Sequence, residues 1–260
     1  MANVLDQIVA HKLTEIAAAK SRRPIAEIKS ALIDAATPRN FVAALKTHHP
    51  MGLIAEVKRA SPSAGMIRES FDPVEIARIY ESHGAACISV LTDEHFFQGR
   101  LSYLTEIRQN TLIPVLRKDF ILDPYQIYEA RAAGADAVLL IAECLSDQQL
   151  QELYAVTLEL GMQALVEVYE RENVARALKL APDFLGVNNR NLQTFETRLE
   201  HTIDLRQDIP NEILLVGESG IHSREDVRKL QSAGVHAMLV GESLMRAPDI
   251  GRRVRELLGN

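Results

Sequence analysis

Eight short apolar segments alternate with helical patterns along most of the chain, one helix–glycine–strand unit recurs three times, and no Gly-rich dinucleotide turn follows the first strand. Together these predict an α/β protein: a single (β/α)8 TIM barrel with an N-terminal helical extension. The recurring unit reads ESHGAACISV, RAAGADAVLL and QSAGVHAMLV. Gly84, Gly134 and Gly234 stand where a helix closes in the left-handed conformation, which glycine adopts without a side-chain penalty. The strands that follow show little polar alternation, as expected when a parallel sheet is covered on both faces. A doubly wound open sheet would show GxGxxG after its first strand. The 260 residues match the ~250 typical of such a barrel, and no Pro/Gly/Ser-rich linker interrupts them. One domain is expected, with residues 1–50 as an extension capping the barrel and residues 51–260 as the barrel.

In the extension, Val4, Leu5, Ile8, Val9, Lys12, Leu13, Ile16 and Ala17 form a helical stripe with Lys12 as its polar interruption. Residues 24–41 read as further short helices, and the segment is expected to cover one end of the barrel. The strand candidates are LIAEVK, CISVLT, PVLRKD, AVLLIA, ALVEVY, FLGVNN, ILLVGE and AMLVGE. Helix starts between them are well marked. Asp72 precedes Pro73 and Asp123 precedes Pro124, a capping carboxylate before proline at the first helical position. Ser223 opens another helix with Glu225 and Asp226 in its first turn.

Composition narrows the function classes. The chain is 47% hydrophobic and 5% aromatic with no Trp, so aliphatic side chains must supply the packing. Net charge is -6 with Lys and Arg scattered, which leaves no basic stripe for nucleic acid but allows a local pocket for an anionic small molecule. Cys87 and Cys144 read as reduced core residues outside any metal-binding spacing. The start, MANVLDQIVAHKL, is too polar for a signal peptide, and no apolar run approaches the ~18 residues of a membrane span. A cytoplasmic protein, monomer or weak homodimer, without metal, cofactor, nucleic-acid or membrane partner, is expected.

Charged residues at strand ends carry the chemistry. Side chains alternate along a strand. In LIAEVK, Ala55 and Val57 therefore suit the helix side, while Ile54, Glu56 and Lys58 point into the lumen near the C-terminal rim, where barrel active sites are built. The same parity puts Lys118 with Leu116, Glu167 with Leu165, and Asn188 with Arg190, and strand seven ends in Glu218 and Ser219. A ring of polar groups on five strand ends is predicted. Arg117 has the opposite parity to Lys118 and belongs on the helix side or the surface. A phosphate site is expected after strands seven and eight, where Gly217-Glu218-Ser219-Gly220 and Gly241-Glu242-Ser243 let the backbone approach an anion closely; Ser61 and Ser63 can add hydroxyls.

IAEVKRASPSAG, SVLTDEHFFQG, PVLRKDFI, GADAVLLIA, LVEVY, LGVNNRNL, VGESGI and LVGESLM resemble, in the same order, the blocks of indole-3-glycerol phosphate synthases, and LDQIVAHKLTEIAAAK resembles that family's N-terminal extension. The resemblance implies ring closure, decarboxylation and dehydration of 1-(2-carboxyphenylamino)-1-deoxyribulose 5-phosphate to indole-3-glycerol phosphate in tryptophan biosynthesis, with no cofactor. It implies Lys118 as general acid at the ketone and Glu167 as acid or base in the dehydration. Lys58 would contact the substrate carboxylate or serve as a second acid, and Glu56 would hold the lysines. Asn188 would hydrogen-bond the substrate or orient Glu167, Arg190 would pair with anionic groups, and Glu218 and Ser219 would complete the ring. Ser61, Gly220, Gly241 and Glu242 would bind phosphate, and Phe97, Phe120 and Leu139 would line a slot for the aromatic ring. Two departures stand out: Ala64 replaces a lysine common after SPS, and Glu242 must turn its carboxylate away from the phosphate. The residues alone leave open another phosphate-binding barrel enzyme, such as a sugar-phosphate isomerase or Schiff-base aldolase, and a non-catalytic binding barrel.

Overall fold

Each predicted strand forms, and the strands pair side by side in chain order. The structure, a computed structural model, describes residues 4–33, 35–48 and 50–260. Residues 1–3, Asp34 and His49 of the predicted extension lie outside the described residues. The strands are β1 (Gly52–Val57), β2 (Cys87–Leu91), β3 (Val115–Lys118), β4 (Ala137–Ile141), β5 (Gln163–Val168), β6 (Phe184–Asn188), β7 (Leu214–Glu218) and β8 (Ala237–Val240). Among the described residues they close into one parallel barrel, with β1 paired to β2 on one side and β8 on the other. Ile54 lies opposite Cys87 and Glu56 opposite Ser89, while Leu53 pairs with Met238.

The helices that follow the strands are α4 (Pro73–Ser82), α5 (Leu101–Asn110), α6 (Pro124–Ala133), α7 (Asp147–Glu159), α8 (Arg171–Leu178), α9 (Glu200–Arg206), α10 (Arg224–Ser232), α11 (Glu242–Met245) and α12 (Ile250–Leu258). Their starts follow the sequence signals. Asp72 accepts hydrogen bonds from the Val74 and Glu75 amides, and Asp123 and Ser223 each form a capping box. Such caps contribute about 1 kcal/mol each. A two-residue hairpin, Ala60–Ser61 with Gly65–Met66, adds an element that the sequence pattern does not announce.

Strand parity splits the apolar residues into two bodies. Ala55, Val57, Ile88 and Val138 pack toward the helices. Ile54, Leu116, Leu139, Leu165, Phe184 and Leu239 fill the lumen. Arg117 takes the helix side, as its parity requires, but is buried there rather than exposed; its guanidinium bonds Asp119, Glu129, Thr92 and the Gln126 carbonyl. Cys87 is buried in the lumen, whereas Cys144 is only half-buried, a departure from the expected core position.

The extension touches both ends of the barrel. Helix α1 (Val4–Arg22) buries Leu5, Ile8, Lys12 and Ile16. Leu13, expected on the same stripe, is 54% exposed. Near the mouth, the His11 ring lies 4.2 Å from His95 and 5.7 Å from Phe96. Helix α2 (Ile25–Ala31) packs on α6, and of the described residues in 24–41 only this stretch and the start of the next helix are helical. That next helix, α3 (Phe41–Thr47), packs against the N-terminal ends of the strands, opposite the cavity. Asn40 caps it, the Phe41 ring sits 5.7 Å from Phe184, and the Phe41 and Val42 amides donate to Gln163 at the start of β5. Phe41 is fully buried, so Phe41→Ala is expected to cost about 3–5 kcal/mol, read as a lowered midpoint in urea unfolding with the urea slope unchanged.

Candidate active site

At the C-terminal ends of the strands lies a cavity of about 970 Å³, counting its open mouth. Its walls bring together every side chain singled out above: Glu56, Lys58 and Ser61 from β1 and its loop; Phe97; Lys118 and Phe120; Leu139; Glu167; Asn188 and Arg190; Glu218, Ser219 and Gly220; Gly241 and Glu242. Ala55, Val57 and Arg117 are absent from the lining, as parity requires.

The floor holds two linked ion pairs. Lys58 Nζ lies 2.6 Å from Glu56 Oε1. Lys118 Nζ lies 3.2 Å from Glu167 Oε2 and 3.8 Å from Glu218 Oε2. Asn188 Nδ2 donates to Glu167 Oε1 at 3.1 Å, while its Oδ1 accepts the Arg190 amide at 3.0 Å, so the amide orientation is fixed by its partners. Two glycines make room for these carboxylates. A Cβ at Gly241 would sit 2.3 Å from Glu56 Oε1, and one at Gly186 would sit 2.2 Å from Glu218 Oε1. Gly241 is therefore required by packing as well as by any close approach of an anion.

Three largely buried carboxylates share two ammonium groups at the bottom of the cavity, and this imbalance sets the protonation states. Burial pulls the Lys118 ammonium down, but Glu167, Glu218 and Glu56 together hold it above the ordinary lysine range. Burial pushes Glu56 up, yet Lys58 and Lys118 keep it below the ordinary glutamate range. Glu218 is the group that yields. Burial and the neighbouring Glu167 raise it well above the ordinary range despite Lys118, and its Oε1 has no hydrogen-bond partner. A neutral Glu218 leaves the floor balanced, two negative against two positive. Because its folded value is raised, its unfavourable contribution is absent below the unfolded value near 4.3 and grows as pH rises toward the folded value. A Glu218→Gln variant, shaped like the neutral acid, should therefore gain in melting temperature over the parent as pH climbs from about 4 to 8. A constant difference across that range would show that folding leaves the proton affinity of Glu218 unchanged.

At the rim, Arg190 gathers the loops. Its Nη1 donates to Ser63 Oγ at 2.6 Å, its Nε to Thr197 Oγ1 at 3.2 Å, and its Nη2 lies 3.5 Å from Glu242 Oε2. The Glu242 carboxylate also takes Arg246 Nε at 2.9 Å. Burial pushes that carboxyl up, but Arg246 and Arg190 hold it below the ordinary range. Ser219 and Gly220 both have positive φ, 65° and 72°. This is strained for serine and typical of residues held for a purpose. The apolar wall is formed by Phe97 and Phe120, whose rings are 6.2 Å apart at 36°, together with buried Leu139. Among the described residues, no group of three or more His, Cys, Asp or Glu side chains is arranged to hold a metal ion, and no helix is long and apolar enough to cross a membrane.

Sequence reasoning missed other parts of the cavity wall. Leu192 and Phe195 enter from the loop after β6, and Asp119 from β3. Asn189 and Asn191 brace that loop: the Asn189 carboxamide accepts from Thr202, and Asn191 accepts from Gln193 and Thr194. The NNRNL run could have signalled such turn-forming side chains.

Fold and mouth together define a (β/α)8 barrel with a cavity of paired ammonium and carboxylate groups at the C-terminal strand ends. Comparison with known proteins narrows this class. The family model described as indole-3-glycerol phosphate synthase matches residues 5–257. The indole-3-glycerol phosphate synthase of Rhodopirellula baltica is 54% identical over 257 residues, covering 99% of each chain. That of Albidiferax ferrireducens is 51% identical over 260 residues, covering 99% of this chain and 98% of its own. Among solved structures, the 3-hexulose-6-phosphate synthase from Salmonella typhimurium superposes with a TM-score of 0.66 at 16% identity, over 80% of this chain and 97% of its own. The N-(5'-phosphoribosyl)anthranilate isomerase from Pyrococcus furiosus does so with a TM-score of 0.57 at 16% identity, over 80% and 97%. At such low identity these two speak for the fold alone. The chain belongs to the indole-3-glycerol phosphate synthase family.

Proposed function

We propose that the protein converts 1-(2-carboxyphenylamino)-1-deoxyribulose 5-phosphate to indole-3-glycerol phosphate, CO₂ and water, working in the cytoplasm with residues 1–50 and the barrel acting as one domain. The observation that carries this reading is the Lys118–Glu167 pair, 3.2 Å apart, beside an apolar slot and opposite an arginine-lined rim. An ammonium that is charged at rest suits a general acid, and the slot suits an aryl ring.

In this reading the aryl carbon bearing the carboxylate attacks the ketone carbon. Lys118 gives its proton to the ketone oxygen as the new bond forms, removing developing alkoxide charge; such catalysis typically contributes ~10²–10⁴-fold. Lys58, held by Glu56, balances the substrate carboxylate until it leaves as CO₂ and the ring regains its aromaticity. Dehydration then takes the hydroxyl as water and a proton from the neighbouring CH₂. Glu167, oriented by Asn188, serves as base or acid there, with Lys58 a second donor. Ser61 and the backbone at Gly220, Gly241 and Glu242 hold the phosphate, while Arg190 pairs with anionic groups at the mouth. Ser219 and Glu218 complete the polar ring. Phe97, Phe120 and Leu139 press the aryl ring toward the ketone, an orientation effect of the kind that lowers barriers strongly.

The test is incubation of the purified protein with this substrate. Indole fluorescence should appear with one CO₂ released per product. Tight binding without either signal would leave only a binding barrel.

A further inference from the structure

Lys12 lies on the apolar face of α1, 4% exposed, where a lysine persists only when paired. Its Nζ is 2.8 Å from Asp93 Oδ2 and 2.9 Å from Asp119 Oδ1, with Glu15 at 2.6 Å. Asp93 and Asp119 are themselves buried, so two carboxylates from different loops meet on one nitrogen. Without the ammonium they would repel in a poorly solvated space.

Each of those carboxylates also shapes the loop it belongs to. Asp93 Oδ1 accepts the Phe96 amide at 2.7 Å, and its carbonyl accepts the Gly99 amide at 2.8 Å, closing the turn that carries Phe97. Asp119 stands between Lys118 and Phe120 in sequence. Its Oδ1 accepts the Phe120 amide at 2.8 Å, and its Oδ2 takes the Thr92 hydroxyl at 2.5 Å and Arg117 Nη2 at 3.2 Å. Phe97 and Phe120 are neighbours in the slot's apolar wall, their ring centroids 6.2 Å apart. Lys12 itself is not in the cavity wall.

We propose that Lys12 is a positioning residue for the aryl slot: its ammonium clamps the loop after β2 to the loop after β3 and thereby sets the spacing of Phe97 and Phe120. The inference deepens the proposed reaction and rests on it only in taking the slot as the seat of the aryl ring. It gives the extension a part in substrate recognition that is separate from covering apolar surface.

The test compares Lys12→Met and Lys12→Arg with the parent, at a temperature where each is folded. It measures fluorescence titration with anthranilate, the aryl fragment of the proposed substrate; titration with inorganic phosphate; and kcat and KM separately. Lys12→Met should weaken anthranilate and raise KM by about tenfold, lower kcat by less, and leave the phosphate Kd within about twofold. Lys12→Arg, which keeps the charge but lengthens the bridge, should weaken anthranilate by a few-fold. Unchanged anthranilate binding in Lys12→Met, or equal losses for both ligands in proportion to the folded fraction, would overturn the proposal. Should Lys12→Met fail to fold, Lys12→Arg decides, since a purely structural role predicts parental anthranilate binding there. A parent that binds anthranilate but turns nothing over would sink the proposed reaction and leave the clamp standing.

Discussion

A Lys118→Ala variant is expected to lose about 10²–10⁴-fold in kcat, measured by indole fluorescence, with less than a tenfold change in affinity for inorganic phosphate. The asymmetry follows from geometry. Lys118 contacts Glu167 and lies 3.8 Å from Glu218, and it is not among the groups proposed to hold the phosphate. Its ammonium is loaded with a proton at rest, because its surrounding carboxylates outweigh burial. That same surplus makes it a reluctant donor, and an acid works best when its affinity for the proton is near the operating pH. Substrate must supply the remedy: an aryl ring filling the slot drives out water and strengthens the burial that pulls the lysine down. Removing the side chain also lets Glu167 and Glu218 share a proton, so the fold should survive. Near-parental turnover would eliminate Lys118 as the acid.

Glu167→Gln should lower kcat by about 10²–10⁴-fold while the protein stays folded. Glu167 is 1% exposed, and both of its oxygens face donors: Asn188 Nδ2 at 3.1 Å and Lys118 Nζ at 3.2 Å. A glutamine has one oxygen and one NH₂, so whichever way it turns, an N–H meets another N–H. The substitution thus removes the proposed acid–base carboxylate and disturbs the proposed acid, Lys118, together. It also removes one negative charge from the cavity, so inorganic phosphate should bind as well as before or better. The pH dependence of kcat should lose one limb. A variant with parental kcat and an intact bell-shaped profile would assign the acid–base work to another group.

Local patterns made much of this legible from the residues. Gly84, Gly134 and Gly234 mark helix ends and adopt positive φ. The two-residue period of a strand suffices to send Glu56 and Lys118 inward and Arg117 outward. What stayed hidden depends on partners far away in the chain. Lys12 looked like a blemish in an apolar stripe because nothing local reveals Asp93 and Asp119 across from it. Arg117 could be placed on a face, but its burial depends on Glu129 and the Gln126 carbonyl. Glu218 reads as one more carboxylate in a Gly-rich loop; its raised proton affinity arises only once the closed barrel buries it and brings Glu167 alongside. The brace from Arg190 to Ser63 joins loops whose proximity only the closed barrel creates.

The extension has a bearing on how the molecule comes into being. The Phe41 amide donates its hydrogen bond to a glutamine 122 residues downstream, and Lys12 awaits aspartates made long after it. During synthesis neither set of contacts is complete until more than a hundred residues have followed. The extension's apolar stripe must wait in solvent, a non-local dependence of the sort that slows folding and invites misassociation. Helices α1 and α3 thus take their seats only after later parts of the chain have been made.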